Sequence, residues 1–215
     1  MAETHRAGES GAGLNPVDRA RIITRHAAAL ERHGYRPQAL FWQERGVQIA
    51  RFGVIADAML SAPASLLDVG CGFGDFYAWL HEHGMTPDFT GIDLSPDMIF
   101  AARSRFPQAQ WLEGELLTVA LPEAGYEVVT LSGALNEPIA DADAYAQAVI
   151  ARMWALARRQ VIFNMLDNRN DEVARSPFLH GRVPETVERW CRRHTANVRV
   201  IEGYLPNDFT VVMGK

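Results

Sequence analysis

Three glycines at alternate positions interrupt an apolar run near residue 70. They lie in the stretch LLDVGCGFGDF as Gly70, Gly72 and Gly74, and Asp68 lies inside the apolar run just before them. Because glycine has no Cβ atom, such a turn lets a ligand come close to the backbone. Where the turn joins a strand to a helix, the amides at the helix start favour negative or electron-rich groups. The stretch therefore predicts a strand, a ligand-binding turn and a helix, although an ordinary tight turn would also use glycine.

A further acid follows the glycine turn at a distance typical of nucleoside sites. The stretch FTGIDLSPDM places Asp93 at the end of the next apolar run, 19 residues after Gly74. A carboxylate at the tip of the second strand can accept hydrogen bonds from both hydroxyls of a ribose. Ser95 and Pro96 predict the start of the following helix. Asp93 could also be a simple turn or capping acid, but the glycine turn beside it favours the nucleoside site.

Charge around the turn distinguishes between two nucleoside cofactors. NAD-binding turns follow the pattern G-x-G-x-x-G, in which a third glycine adjoins the pyrophosphate. Here that position is Asp75, whose carboxylate would face the pyrophosphate. S-Adenosylmethionine carries a sulfonium and an ammonium group, so Asp75 and Asp68 complement its charge. We therefore expect S-adenosyl-L-methionine as the cofactor and S-adenosyl-L-homocysteine as the product.

Short apolar runs alternate with helical patterns from residue 65 onward. The runs SLLDVG, FTGID, AQWLEG, YEVVTLS and RQVIFNML are typical of βαβ units around a buried parallel sheet. Two more runs, NVRVIEGY and DFTVVMGK, are separated only by LPN, so they must pair antiparallel. The pattern predicts an α/β fold whose mostly parallel sheet ends in an antiparallel hairpin.

The N-terminal part of the chain has a different character. Residues 1–14 lack periodicity and are rich in glycine, alanine and charge, which predicts a disordered tail. An asparagine followed by proline predicts a helix over residues 15–34. Apolar residues at helical spacing predict a second helix over residues 43–60. We therefore divide the chain into the tail, a helical cap over residues 15–61 and a cofactor-binding domain over residues 62–215.

Composition excludes several other classes of protein. The chain has 215 residues, 48% of them hydrophobic, and a net charge of −5, which disfavours a nucleic-acid partner. No apolar run approaches the roughly 20 residues that span a bilayer, and the N-terminus carries no signal-peptide pattern. The two cysteines, Cys71 and Cys191, form neither a disulfide framework nor a zinc-binding spacing. We expect a cytoplasmic protein with no metal and no membrane partner.

The ordered motifs resemble those of class I S-adenosylmethionine-dependent methyltransferases. The motifs that carry the resemblance are LLDVGCGFGDF, GIDLSPDMI, WLEGELL and YEVVTLSGALN, together with the terminal hairpin. The resemblance covers residues 64–215 and implies a Rossmann-like seven-stranded sheet whose last strand is inserted antiparallel. The upstream stretch HGYRPQALFWQERGVQIARF is similar to a small-molecule subgroup with an N-terminal helical cap.

The resemblance implies a role for residues in each motif. The three glycines would pack against the methionine part of the cofactor, and Asp93 would hold the ribose hydroxyls. Glu115 occupies the position of an acid that accepts from the adenine amino group, and the amide of Leu116 would share that contact. The residues assigned to the cofactor in this domain are Asp68, Gly70, Cys71, Gly72, Gly74, Asp93, Leu94, Met98, Glu115, Leu116 and Ser132.

The assignments of Leu94 and Met98 have structural alternatives, and the assignment of Ser132 concerns the reaction path. Leu94 and Met98 would cover the adenine, but either could belong to the hydrophobic core. Ser132 and Gly133, at the end of the fourth strand, would line the path between the sulfonium and the acceptor.

The cap contributes a second group of candidate residues. Gln48 and Arg51 are three positions apart, so they share a helix face. In the capped subgroup such a pair would reach the cofactor carboxylate, which a guanidinium matches with two donors; a solvated Arg51 is the alternative. We also assign Trp42 to the cofactor site and predict that Trp42 and Tyr35 line a closed cavity with GALNEP and LDNRND on its opposite rim. The aromatic residues, Phe41 included, could instead fasten the two helices to the domain.

Few sequence features indicate which residues take part in catalysis. In-line displacement on an activated sulfonium carbon depends largely on positioning, so a base is not always required. We take Asn136, Glu137 and His180 as candidate catalytic residues, Asn136 to orient the acceptor and the others as bases, with Asp167 as a further candidate. Each also suits a loop or a cap.

The sequence thus predicts a methyltransferase for a small-molecule acceptor. A nicotinamide oxidoreductase would need a different glycine turn. A protein or RNA methyltransferase and a non-catalytic cofactor-binding partner protein remain alternatives. The motif NEPI lacks the second proline and the aromatic residue with which DNA amino-methylating enzymes stack a flipped base. Neither the acceptor nor the oligomeric state follows from the sequence.

Overall fold

The structure, a computed structural model, describes residues 13–41 and 44–215. The helices are α1 (Pro16–His33), α2 (Arg45–Asp57), α3 (Asp75–Glu82), α4 (Pro96–Arg105), α5 (Ala142–Leu156), α6 (Asp171–Arg175) and α7 (Pro184–Cys191), with a 3₁₀ turn at Pro37–Leu40. The strands are β1 (Ser65–Val69), β2 (Asp88–Asp93), β3 (Gln110–Glu113), β4 (Tyr126–Ser132), β5 (Ala157–Leu166), β6 (Val198–Glu202) and β7 (Asp208–Gly214).

The strands form one sheet in the order β3-β2-β1-β4-β5-β7-β6. The pairs among β1 to β5 are parallel, whereas β7 pairs antiparallel with both β5 and β6. The predicted Rossmann-like sheet with its antiparallel hairpin is confirmed. The strand order reverses between β1 and β4, and open α/β sheets bind ligands beside the carboxyl ends of the strands at such a point.

Alternation along the strands divides the core into two layers. In β1, Leu67 and Val69 pack with α5 and α7, whereas Leu66 packs on the opposite face with α2, α3 and α4. Because both faces of the central strands are covered, these strands appear in sequence as nearly continuous apolar runs. Asp68 interrupts the run on the α2 face.

The cap helices differ in how they contact the domain. The Asn15 side chain accepts from the Asp18 amide at 2.9 Å, which starts α1 where the sequence predicts. Helix α1 packs on the 3₁₀ turn and α4, whereas α2 lies against α3, β4 and β5 and buries Phe52 and Ile55. Helix α2 is shorter than predicted, because the chain leaves the helix at Ala58. The predicted tail lies outside the described residues except for residues 13 and 14.

No helix within the described ranges combines the length and the apolar character that crossing a bilayer requires.

Candidate active site

A cavity of about 410 Å³ lies at the carboxyl ends of β1, β2 and β4. Its volume is in the range of small-molecule sites. On the domain side it is lined by Val69, Gly70, Ile92, Asp93, Leu94, Gly114, Glu115, Leu116, Leu131, Gly133, Ala134, Leu135, Asn136 and Glu137, among others. On the cap side it is lined by Leu14, Ile22, Arg25, His26, Leu40, Phe41, Val47 and Arg51. Cap and domain therefore enclose the same space.

The glycine turn is shaped as much by protein neighbours as by the cavity. Gly70 has φ 70°, and a Cβ there would lie 2.4 Å from the Cβ of Ala134. At Gly72 a Cβ would lie 2.9 Å from the Leu40 side chain of the cap, and Gly74 faces two aromatic rings. Only Gly70 of the three lines the cavity. At the other two positions, close approach of protein side chains requires glycine, and the predicted contact of Gly72 and Gly74 with the cofactor stays a prediction.

Asp93 lies at the tip of β2 and lines the cavity. Its Oδ2 accepts from the Gly72 amide at 2.9 Å, and its Oδ1 accepts from the Ser95 amide at 2.9 Å. Asp93 therefore stabilises the turn, as the alternative interpretation of this residue predicted. Each carboxylate oxygen nevertheless has a second lone pair, so hydrogen bonds from ribose hydroxyls remain available.

The two residues predicted to cover the adenine have separate positions. Leu94 lines the cavity. Met98 is fully buried in a small cluster with Ala39, Phe73 and Ala101 and is not part of the cavity wall. The core alternative is therefore correct for Met98.

A second cavity, of about 30 Å³, lies on the other side of Gly70, between α2 and β1. Its walls include Gln48, Asp68, Gly70, Cys71, Asp75 and Ser132. The Asp68 carboxyl accepts from the Thr130 hydroxyl at 2.9 Å, and its burial raises its pKa to about 7. The Ser132 hydroxyl is buried and has no hydrogen-bond partner among the described residues. A buried carboxyl beside an unused hydroxyl fits a cationic donor such as the ammonium group of S-adenosylmethionine.

Asp75 does not offer the free negative charge that the sequence interpretation gave it. Its carboxylate accepts from Gln48 Nε2 at 3.1 Å and from Arg105 Nη1 at 3.0 Å. Because Arg105 compensates the charge of Asp75, Asp68 is the acid of the pair that can complement the positive charge of S-adenosylmethionine.

The predicted clamp residues of the cap are both buried. Gln48 donates to Asp75, and Arg51 forms an ion pair with Asp208 at the start of β7. The solvated alternative for Arg51 is therefore wrong. Burial raises the pKa of Asp208 to about 6, and the neighbouring Arg51 counteracts that rise. Arg51 also lines the large cavity, so its predicted contact with the cofactor carboxylate stays a prediction.

Glu115 lines the cavity, but its carboxylate binds the cap. Its oxygens accept from the Leu14 amide at 2.7 Å and from the Arg19 guanidinium. The beginning of α1 thus binds both oxygens, but each oxygen keeps a second lone pair, so the predicted adenine contact through this carboxylate stays a prediction. Leu116, whose amide was the second predicted contact, also lines the cavity.

Two of the catalytic candidates line the cavity. Asn136 Oδ1 accepts from the Leu166 amide at 3.1 Å, which fixes the loop after β4 against β5. Glu137 forms ion pairs with Arg25 at 2.8 Å and with Arg21 at 3.4 Å. Burial would raise the pKa of Glu137, but its hydrogen bond with His26 and the two arginines bring it below its usual value. A carboxylate stabilised in this way is a weak general base.

The other catalytic candidates lie outside the cavity wall. His180 Nε2 is 3.3 Å from an oxygen of Asp143, and Asp167 accepts from Arg169. Neither residue lines the cavity. The loop that carries His180 instead turns Phe178 and Leu179 toward it. These two candidates are therefore corrected.

The aromatic residues of the cap differ in whether they line the cavity. Tyr35 is 53% exposed, packs on Phe73 and takes no part in the cavity wall, so its predicted position is wrong. Phe41 lines the cavity and packs edge-on against His26 with the ring centroids 5.1 Å apart. Trp42 lies outside the described residues.

Two charged or titratable residues of the wall that the sequence did not predict, His26 and Arg182, lie where they can affect the acceptor side. His26 shares the inner face of α1 with Ile22 and Arg25, and helical spacing could have revealed that group. Arg182 is buried and donates to Asp143 at 2.9 Å, and to two carbonyl oxygens at 2.8 and 2.7 Å. No local pattern marks an arginine that acts through such distant partners.

One carbonyl bound by Arg182 belongs to Leu135, inside the stretch GALNEP, and the other to Ala142, the first residue of α5. This stretch forms the predicted rim of the cavity from Gly133 to Glu137, whereas LDNRND contributes only Leu166. Arg182 therefore positions the loop on which the acceptor side of the cavity is built.

Comparison with known proteins agrees with this geometry. Residues 66–160 match the family model of a methyltransferase domain. A methyltransferase of Mycobacterium tuberculosis is 30% identical over 158 residues, which are 71% of this chain and 94% of the relative. The demethylmenaquinone methyltransferase of Deinococcus radiodurans is 32% identical over 108 residues, 48% of this chain and 43% of that protein.

Solved structures share the fold at low sequence identity. A TehB-like S-adenosylmethionine-dependent methyltransferase from Corynebacterium glutamicum has a TM-score of 0.60 at 19% identity, covering 94% of this chain and 100% of its own. Magnesium protoporphyrin IX methyltransferase from Synechocystis, solved with bound S-adenosylhomocysteine, has a TM-score of 0.60 at 14% identity, covering 97% and 90%. The site combines the glycine turn, Asp93 at the tip of β2 and the buried Asp68. Together with the matching family model and the relative from Mycobacterium tuberculosis, these features show that the chain belongs to the class I S-adenosylmethionine-dependent methyltransferases.

Proposed function

We propose that the enzyme transfers the methyl group of S-adenosylmethionine in line to a small-molecule acceptor held between the cap and the domain. The observation that carries the proposal is the cavity of about 410 Å³ whose wall is shared by α1 and the carboxyl ends of the strands. A site of that volume, roofed by a helix, suits a metabolite better than a polypeptide or a nucleic-acid strand. Roofing also excludes water from the reacting groups.

The cofactor would supply an activated methyl group on a sulfonium. Asp93 would accept from the ribose hydroxyls and Leu94 would cover the adenine. On the far side of Gly70, Asp68 and Ser132 would receive the ammonium group. The described geometry supports these roles because the two cavities adjoin at Gly70.

The acceptor would then lie against Asn136 and the inner face of α1. A lone pair of the acceptor forms the new bond to the methyl carbon as the carbon–sulfur bonding pair returns to sulfur. If the acceptor is a hydroxyl or an amine, the methylated product loses its proton to bulk water when it leaves the roofed site. Holding the reacting atoms in line accounts for most of the acceleration in such a reaction. The named relatives support a small acceptor, since one of them is named for demethylmenaquinone.

Methyl transfer to a size-fractionated extract tests the proposal. Methyl-labelled S-adenosylmethionine is incubated with the enzyme and, separately, with the fraction of a cell extract that passes a small-pore filter, its protein fraction and its RNA fraction. With the cofactor below its dissociation constant, we expect label in the small-molecule fraction, reduced at least about tenfold by Asp93→Ala and retained by Asp88→Asn, which changes an exposed acid of the same strand. Label that enters only protein or RNA would refute the small-molecule acceptor.

A further inference from the structure

The acceptor side of the large cavity is the part that lies between α1 and the C-terminal half of the chain. It is bounded by α1, by the loop after β4, by Phe41, by residues 178–182 and by the β6–β7 loop at 205–207. Its side chains determine what acceptor fits, if the proposed function holds.

Every arginine in this wall has an acidic partner. The pairs are Arg25–Glu137, Arg51–Asp208 and Arg182–Asp143. One acid of this wall, Glu172, has no ion pair with any described residue, and Asp93 is a second acid without an ion pair at the cofactor end of the cavity. An anionic acceptor would therefore have to displace an internal carboxylate and enter a wall of negative balance. Burying a charge without a counterion is strongly unfavourable.

Exposed apolar side chains surround the mouth of the cavity. Phe178 is 67% exposed, and Phe41 and Leu179 are also exposed, yet all three line this cavity. Deeper in the wall lie Ile22 and Ile139. Apolar side chains exposed around one concave site mark a binding surface for an apolar ligand.

One polar group of the wall, the side-chain nitrogen of Asn136, is available to bind a ligand. The Leu166 amide donates to Asn136 Oδ1 at 3.1 Å, which identifies the oxygen and leaves Nδ2 as a donor. Nδ2 of Asn136 makes no hydrogen bond to any residue that the structure describes. It can donate to an oxygen on an acceptor that is otherwise apolar.

From these observations we infer that the acceptor is an electrically neutral, largely apolar small molecule that presents an oxygen to Asn136 and packs its apolar body against Phe41, Phe178 and Leu179. The inference rests on the proposed function and narrows its acceptor to one chemical class.

Two fluorescent probes that differ by one charge test the class without requiring turnover. N-Phenyl-1-naphthylamine is neutral, and 8-anilino-1-naphthalenesulfonate has the same rings with a sulfonate. With the enzyme saturated by S-adenosylhomocysteine, we expect the neutral probe to bind about tenfold more tightly, because the sulfonate finds no arginine without an acidic partner among the described residues of the wall. Phe178→Ser should weaken the neutral probe about fivefold through lost apolar contact. Phe100→Ser is the matched control, because Phe100 is 71% exposed on α4 and outside the cavity.

Equal or tighter binding of the sulfonate would overturn the inference, as would equal effects of the two serine variants. In a second arm, the small-molecule extract is separated on anion and cation exchangers before methyl transfer. Acceptor activity in the unretained, solvent-extractable fraction supports the inference, and activity in either retained fraction overturns it. If S-adenosylhomocysteine fails to bind, or no fraction accepts label, the proposed function is refuted. The two probes are then compared on the ligand-free enzyme, where tighter binding of the neutral probe still shows that the cavity takes neutral apolar ligands and tighter binding of the sulfonate overturns the inference.

Discussion

Replacing Asp68 with asparagine should stabilise the ligand-free protein at pH 8 and weaken its binding of S-adenosylmethionine. The carboxyl is buried against the sheet, and its only described hydrogen-bond donor is the Thr130 hydroxyl. Burial raises its pKa to about 7. A group whose folded-state pKa is raised binds its proton more tightly in the folded protein. The favourable contribution of protonated Asp68 to the free energy of unfolding is complete below 3.8, the pKa of the carboxyl in the unfolded chain. It is lost as the pH rises to about 7.

The magnitude follows from that pH window. Each pH unit between 3.8 and about 7 is worth about 1.36 kcal/mol, so an ionised Asp68 costs the fold about 4 kcal/mol at pH 8. At pH 5 only about 1 to 2 kcal/mol of this cost has accumulated. Asparagine does not ionise and keeps an oxygen for Thr130. The stability advantage of Asp68→Asn over the parent should therefore grow by about 2 to 3 kcal/mol between pH 5 and pH 8.

Urea denaturation at the two pH values measures this difference, and Asp88→Asn, at an exposed position, is the control. Calorimetry with S-adenosylmethionine provides the second test. If its ammonium group binds Asp68, the parent should release protons on binding near pH 7 and bind more weakly at pH 6 than at pH 8. The variant should lose both effects. An advantage of the variant that is equal at both pH values would show that Asp68 does not ionise in this range, and unchanged cofactor affinity would show that Asp68 does not bind the ammonium group.

Three further outcomes are expected. Asp93→Ala should weaken cofactor binding by about 1.5 to 3 kcal/mol, the range for hydrogen bonds to a charged group, and calorimetry showing unchanged affinity would contradict this. Arg51→Met should lower the free energy of unfolding by about 3 to 5 kcal/mol, because Asp208 is left buried without its counterion; addition of Asp208→Asn should restore most of the loss in urea denaturation. Arg182→Lys should lower kcat/KM while S-adenosylhomocysteine binds as in the parent. The reason is that an ammonium cannot donate to Asp143 and two carbonyls in the geometry of a guanidinium. A variant with the same kcat/KM as the parent would show that Arg182 does not position the loop.

Local sequence determined the fold and the position of the cofactor site. Each strand is a run whose period of two, or whose unbroken apolar character, is a property of neighbouring residues. The glycine turn and Asp93 belong to consecutive strand ends, and parallel strands bring their carboxyl ends to one edge. The Asn15 cap and the short LPN connection are equally local, so α1 and the antiparallel hairpin could be predicted as well.

Only the tertiary structure decided which charges in the site are free. Arg51 and Asp208, or Glu115 and Arg19, lie far apart along the chain, and no periodicity relates them. Whether a carboxylate meets a guanidinium, an amide or only a hydroxyl depends on how separate elements pack. That packing left Asp68 without a cation, bound Glu115 to the cap and turned Tyr35 and His180 away from the cavity. Burial and pairing are properties of the assembled fold, because the energy of a charge depends on everything within a few ångströms of it rather than on its neighbours in sequence.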